Sequence, residues 1–376
     1  MLPSVNQDYP LSVSDMFTNP FPNAFGLDMS DRSIKVVQLR RLRGRLPAYA
    51  LVSAGAVRLP EGIIERGEII EPEKTRTHIR ELLAGEKKAR KPIASKWVVA
   101  SLPESQTFFK RLTIPKRGDQ LLEDDVWEHA ARHMPFDRDA YYLSWQAIPP
   151  IENEAETTDV VVGAAPKRVA NSYTYLLESL GLGVIALESE ALSLSRALIP
   201  EGAEEEDAMG ILDIGATRAN LIVSDYGMTQ ASIALPFSGD DLTAALSKKM
   251  DLSLDEAEQR KIDSGLDFKK TKGKAFHILA THIDQCAQHI KKAITFYDTH
   301  FENRHKISVL ALTGGSAHLK NLDRVLALKL KMKVRLGNPW TNVSLKKSSR
   351  APLDAPLLYA TAVGLALRAV ENPFAK

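Results

Sequence analysis

Asp28 and Asp213 each close an apolar run and precede a short stretch of small and polar residues, a placement in which a carboxylate can face a bound Mg²⁺. The two stretches are Phe25-Gly26-Leu27-Asp28-Met29-Ser30-Asp31-Arg32-Ser33-Ile34-Lys35-Val36-Val37 and Ile211-Leu212-Asp213-Ile214-Gly215-Ala216-Thr217-Arg218-Ala219-Asn220-Leu221-Ile222-Val223. In each, five or six small or polar residues separate the Asp-ended strand from a second, β-branched strand. A turn between strands aims backbone N–H groups and small hydroxyls at one point, so two such turns can close on a polyphosphate from two sides. The same device occurs twice.

The elements around these turns repeat as well. From Phe25 the chain reads strand, loop, strand (Ile34–Leu39), a basic turn (Arg40–Arg45) and a third strand (Tyr49–Val57). After Asp213 it reads strand, loop, strand (Ala219–Ser224), the turn Asp225-Tyr226-Gly227 and a third strand (Thr229–Leu235). Two copies half a chain apart predict a duplicated fold. Between them, strands are expected at Trp97–Leu102, Phe108–Ile114, Tyr141–Ile148 and Asp159–Ala165, with an amphipathic helix over about Asp119–Met134. Residues from about 96 to 170 are therefore expected to form an α+β insertion. Helices follow over Lys167–Leu180 and Glu188–Leu198. In the second half, Phe276, Leu279, Ile283, Cys286, Ile290, Ile294, Tyr297 and Phe301 recur at steps of three and four, which predicts one long helix. A strand at Ile307–Leu312, the turn Thr313-Gly314-Gly315-Ser316, a helix over Ala317–Leu330 and a small-residue helix, Leu357–Ala366, complete the chain.

With 376 residues, the chain exceeds one core of ordinary size. Lys and Arg number 49 against 47 Asp and Glu, a net charge of +2 that argues against a broad nucleic-acid surface. A single cysteine, Cys286, excludes an internal disulfide framework, and its place in the apolar stripe predicts a packed core thiol. No basic residue precedes Arg32, and no run approaches the length of a spanning helix, so a cytoplasmic protein is expected. Residues 1–23 read as a mobile arm.

Asp28, Asp213 and the Gly314-Gly315 turn, in this order and context, resemble the actin, hexokinase and heat-shock-ATPase superfamily. Within it the chain resembles the PilM family of type IV pilus assembly proteins from residue 25 to about 370. Gly26-Leu27-Asp28 through Leu39 is similar to that family's opening motif. Ser101-Leu102-Pro103, Arg111–Pro115, Met134-Pro135-Phe136 and Val161–Lys167 match its inserted segment, and Leu254–Lys261 its adenosine-side helix. The resemblance implies an α/β, duplicated actin-like (ribonuclease-H-like) ATPase fold around a nucleotide cleft. A first domain would span 24–205 and a second 206–376, the latter with a smaller subdomain at about 237–290 and a closing helix at about 355–370 that returns to the first.

Carried over by position, Asp28 and Asp213 would face Mg²⁺ through water, and Ser30, Asp31, Ser33 and Lys35 would form the first phosphate loop. Gly215, Ala216 and Thr217 would form the second. Gly314, Gly315 and Ser316 would admit the adenosine of ATP or ADP, while Glu258 and Lys261 would reach its ribose or adenine edge or else form a solvated helix face. The first loop departs from the family, which usually has Gly-Thr-Ser where Ser30-Asp31-Arg32 stands. Asp31 would set a carboxylate against the phosphates, a repulsion of roughly 1–4 kcal/mol at about 4 Å, with Arg32 expected to neutralise it. ATP binding with hydrolysis slow or absent is the expectation, since no residue stands out as the water-orienting base.

The resemblance further implies a scaffold beneath the inner membrane, bound to the cytoplasmic N-terminal peptide of a PilN-type protein. Contacts to other pilus platform and motor proteins and self-association are open, and membrane association would be indirect. An FtsA-like division protein is an alternative, but its C-terminal amphipathic anchor has no counterpart before Lys376. A small-molecule kinase of the same superfamily would need a general base at an acceptor site, and none stands out. The cytoplasmic domain of a type II secretion platform protein is a fourth, related alternative. His129 and His133 lie i, i+4 on a predicted helix but lack the zincin Glu. The Arg40, Arg41, Arg43, Arg45 turn is either a solvated tip or a contact for anionic lipid.

Overall fold

The computed structural model describes residues 19–42, 49–85, 91–115, 123–133, 137–148, 157–201, 207–271, 273–301, 304–345, 352 and 354–371. Most of the expected arm, the tip carrying Arg43 and Arg45, Met134-Pro135-Phe136 and residues 149–156 between two of the expected strands lie outside the described residues.

Two sheets carry the repeat. The first runs Gly183–Ser189, Trp97–Leu102, Phe25–Ser30, Ser33–Arg41, Tyr49–Arg58, Val343–Ser344. In the second the order is Lys333–Leu336, Ile307–Thr313, Ala208–Ile214, Ala219–Asp225, Met228–Leu235. Apart from the short edge strand at Val343, the two orders coincide: three antiparallel strands, then two parallel ones. Registers coincide too, with Asp28 opposite Lys35 and Asp213 opposite Asn220. Their loops do not. Pairing continues to Ser30 and Ser33 in the first hairpin, leaving only Asp31 and Arg32 in the turn, whereas Gly215–Arg218 separate Ile214 from Ala219 in the second.

Trp97–Leu102, expected to open the insertion, instead belongs to the first sheet. It lies parallel between Phe25–Ser30 and Gly183–Ser189, and its run from Val98 to Leu102 is buried. The insertion is the antiparallel sheet Phe108–Pro115, Thr157–Pro166, Tyr141–Ala147, covered by the helix Glu123–Ala131. Its own small core holds Leu112, Ile114, Val126 and Val160. Gly183–Ser189 was not anticipated as a strand. The expected helix at Glu188 begins at Glu190, because the Ser189 hydroxyl accepts the Ala191 N–H and caps it. The helix Pro72–Ala84 and the strand Lys333–Leu336 also lie outside the expected elements, although Pro72 at the helix start and the buried Thr75, Ile79 and Leu82 mark the former. The expected helix from Ala317 is split into a single turn at Gly315–His318 and a helix at Leu322–Leu330. Asn321 between them is left-handed and donates from its side chain to the Leu266 carbonyl at 3.2 Å.

Between the sheets lie two crossing helices, Glu190–Leu198 and Ala360–Val370. A Cβ on Gly26 would stand 2.4 Å from the Ala362 carbonyl, and one on Gly364 would stand 1.8 Å from the Ser193 carbonyl. First sheet, closing helix and linking helix thus meet backbone to backbone, which only glycine allows. The core around them draws Val37 and Leu39 from one sheet and Ile211 and Ile222 from the other. Glu188, buried beneath this crossing, takes Arg196 at 2.7 Å and Arg368 at 2.9 Å. On the outer face of the second sheet, the helices Gly239–Met250, Leu254–Ser264 and Lys274–His300 pack on Leu212, Leu221 and Leu310. Cys286 is buried within the last, and burial pushes its thiol up to about 12.

Candidate functional site

The two hairpin turns face each other. In the first, the Lys35 ammonium donates to Asp28 Oδ2 and to Ser30 Oγ, both at 2.9 Å, and Ser101 donates to Asp28 Oδ1 at 3.1 Å. Ser30 Oγ lies 3.3 Å from Ser33 Oγ. Strand register makes this cluster: Asp28 and Lys35 are cross-strand partners on one face, and Trp97–Leu102 brings Ser101 alongside. Asp28 is 4% exposed and Lys35 7%, so their charges are matched inside the protein.

Asp31 does not meet Arg32, contrary to the expectation that the arginine neutralises it. Its Oδ1 accepts the Gly67 N–H at 2.9 Å, and its Oδ2 accepts the Thr217 hydroxyl at 2.8 Å across the cleft. Arg32 turns to Asp240, at 3.0 Å, and to Glu61, at 2.6 Å. A two-residue turn sends consecutive side chains in different directions, and each finds a separate partner.

In the second turn Gly215 N donates to the Arg218 carbonyl at 2.9 Å. The Gly215 carbonyl accepts Gly239 N at 3.0 Å and Ser316 Oγ at 3.4 Å, and the Ala216 carbonyl accepts Asp240 N at 2.8 Å. The start of the helix Gly239–Met250 and the Gly314–Ser316 turn are thereby joined to the loop. Gly314 is left-handed, with φ 84°, and a Cβ there would stand 2.5 Å from Asp213 Oδ1. Glu258 and Lys261 converge on the same helix start. The Lys261 ammonium donates to the Gly239 carbonyl at 3.0 Å and to Thr243 Oγ1 at 2.8 Å, and it pairs with Glu258 at 2.6 Å. Lys261 is buried while Glu258 stays partly open, so neither forms a freely solvated helix face.

The cleft carries excess negative charge. Burial lifts the Asp213 carboxyl to about 6, with Asp28 adding to the rise and Arg218 opposing it. Glu190, at the start of the linking helix, is lifted by burial to about 7, although Arg218 sits 2.8 Å from it. Arg218 itself is held above the ordinary arginine range, chiefly by Glu190. Glu190, Arg218, Ser101, Gly67 and Asp240 are members of this site that local spacing does not single out. An acidic residue at a helix start, one position past a Ser cap, is the local signal for Glu190, and its burial has none.

Elsewhere, His129 Nδ1 is occupied by the Asp125 carbonyl at 2.9 Å and His133 lies beyond the helix end. Among the described residues no three His, Cys, Asp or Glu side chains group as a metal cage, and no helix is long and apolar enough to cross a membrane.

A sequence profile described as "Type IV pilus assembly protein PilM" matches residues 26–370. The structure is similar to a PilM-PilN type IV pilus biogenesis complex, with a TM-score of 0.78 and 25% identity, covering 94% of this chain and all of that one. It is also similar to the ethanolamine utilization protein EutJ from Carboxydothermus hydrogenoformans (TM-score 0.54, 16% identity, 91% of this chain and 88% of that one). MreB5 of Spiroplasma citri bound to AMPPNP gives 0.52 at 10% identity, over 92% and 95%. The architecture is the duplicated actin-like ATPase fold.

Proposed function

From the premise that the chain belongs to the PilM family of type IV pilus assembly proteins, as the match over residues 26–370 shows, we propose that it is a cytoplasmic, nucleotide-binding scaffold of the pilus assembly machinery. It is recruited to the inner face of the inner membrane by the N-terminal peptide of a PilN-type protein. The observation that carries this reading is the likeness over 94% of the chain to a PilM-PilN complex.

For the peptide, the helix Lys167–Glu178 offers a surface beside the insertion. Tyr175 is 68% exposed and Tyr142 40% exposed; the Tyr142 hydroxyl donates to Asn171 Oδ1 at 3.1 Å, and the Lys167 ammonium lies 5.6 Å from the Tyr142 ring centre. Two open aromatic rings beside amide and ammonium groups suit an extended peptide with apolar and acidic side chains. Calorimetry with a PilN-type N-terminal peptide from the same genome tests the reading. Binding should fall tenfold or more in Tyr142→Ala and Tyr175→Ala, and no binding by the folded wild-type chain would remove the main support.

For the nucleotide, the donor set fits a magnesium-bound polyphosphate. Asp213 is a carboxyl that burial leaves short of compensation, lodged where Gly314 has no side chain. Asp28 and Asp213 would face Mg²⁺ largely through water, consistent with the ion's reluctance to shed its hydration. Ser30, Ser33, Lys35, Gly215, Ala216 and Thr217 would hold phosphate, and Gly314, Gly315, Ser316, Glu258 and Lys261 the nucleoside. Bound Mg²⁺ would supply charge neutralisation between the phosphates and the two carboxylates. Lys35, Thr217 and Lys261 each already bond a protein group, so binding exchanges partners rather than filling free donors. Glu190 would be the carboxylate to orient water, and its pairing with Arg218 supports slow turnover or none. Calorimetric titration with ATP and Mg²⁺ tests this part, and absence of heat under conditions where the chain is folded sinks it.

A further inference from the structure

We propose that Asp31 and Arg32 form a latch that ties the two halves of the molecule together across the cleft through protein groups alone. Asp31 is 6% exposed and uses both oxygens: Gly67 N on its own side at 2.9 Å and Thr217 Oγ1 on the far side at 2.8 Å. Its near anchor is rigid. The Gly67 carbonyl accepts the hydroxyl of Tyr173, a fully buried side chain, at 2.9 Å. Arg32 adds a second tie to Asp240 at 3.0 Å while Glu61 braces it from behind at 2.6 Å. Asp240 moves with the second turn, because its N–H donates to the Ala216 carbonyl at 2.8 Å.

Two neighbouring residues of one tight turn therefore grip two linked points of the other. The tie at Arg32 stands at the rim, where Asp240 and Glu61 are open to solvent, and is worth little alone. The Asp31–Thr217 bond has a charged acceptor on a buried residue, though Thr217 itself is open to solvent, which makes it the stronger of the two ties. Latched, the turns stay together without any ligand. A phosphate that takes the Thr217 hydroxyl must take it from Asp31, so ligand entry and unlatching become one event; this consequence rests on the nucleotide reading above, whereas the latch does not.

The test is hydrogen exchange on the full chain without nucleotide, comparing wild type with Thr217→Val, Arg32→Gln, the pair, and Thr217→Ser. Amides in peptides spanning 61–70 and 213–218 should exchange about tenfold faster in Thr217→Val and faster again in the pair, with the strand Ala219–Asp225 unchanged. Thr217→Ser, which keeps the hydroxyl, should match wild type. Wild-type exchange rates in the pair overturn the latch, as does Thr217→Ser exchanging as fast as Thr217→Val. If Thr217→Val loses protection across Ala219–Asp225 it has unfolded, and Thr217→Ala, which removes the hydroxyl without adding a methyl group in its place, then decides: loop exchange at the wild-type rate overturns the proposal. Failure of wild type to bind ATP and Mg²⁺ in calorimetry would sink the nucleotide reading and leave the exchange result standing.

Discussion

Replacing Asp213 by Asn should stabilise the protein at pH 8 while abolishing its response to magnesium nucleotide. The carboxyl rises from 3.8 to about 6 on folding, chiefly through burial, with Asp28 contributing and Arg218 opposing. That rise corresponds to about 3 kcal/mol, and because part of the side chain still meets solvent, about 2 kcal/mol is the expected effect. The folded chain holds the proton more tightly than the unfolded chain does. Its contribution is therefore fully present below pH 4 and is lost as pH rises through about 6. Asn removes the titration and keeps the shape. Urea melts of wild type and Asp213→Asn from pH 4.5 to 8 should diverge by about 2 kcal/mol at the upper end and converge at the lower. Glu190 titrates in both proteins and largely cancels, apart from the lowering it gains once its Asp213 neighbour is neutral. A variant less stable than wild type at pH 8, or a difference that does not shrink on acidification, refutes the reasoning.

Gly364→Ala would drive a Cβ to 1.8 Å from the Ser193 carbonyl and should cost about 3 kcal/mol or more, read as a lowered thermal midpoint. Tyr297→Phe leaves Asp225 Oδ2, which accepts the tyrosine hydroxyl at 2.6 Å, with only the His305 N–H, and chemical melts should show a loss of about 1–3 kcal/mol. Ser253→Ala removes half of the capping box with Glu256, and should cost about 1 kcal/mol, with hydrogen exchange quickened over the first turn of the helix Leu254–Ser264.

What could be read from the sequence was what neighbours in the chain determine. The Asp-ended hairpins, the long helix now seen at Lys274–His300 and the buried Cys286 follow from alternation, turn residues and a three-four stripe. Trp97–Leu102 shows the limit: its buried run marks a strand, but nothing in it says that it pairs with Phe25–Ser30 rather than with the insertion that follows. The site divides in the same way. Asp28 and Lys35 are cross-strand partners seven residues apart and legible together. Arg32 finds Asp240 and Asp31 finds Thr217 about two hundred positions along the chain, and side-chain direction at a two-residue turn decides both. Glu190 is written as a helix-start acid, a role that usually faces solvent; only the folding of both sheets around that helix buries it.

The glycine contacts at the helix crossing also set how the molecule can move. Gly364 rests on the Ser193 backbone, and Gly26 receives the closing helix from the other side, so no layer of side chains remains there to slide or compress. The buried Glu188 with its two arginines pins the same point against separation. The second sheet meets the same two helices through side chains such as Ile211 and Ile222, so the backbone contacts make the first sheet and the helices one block and leave adjustment between the halves to that side-chain layer.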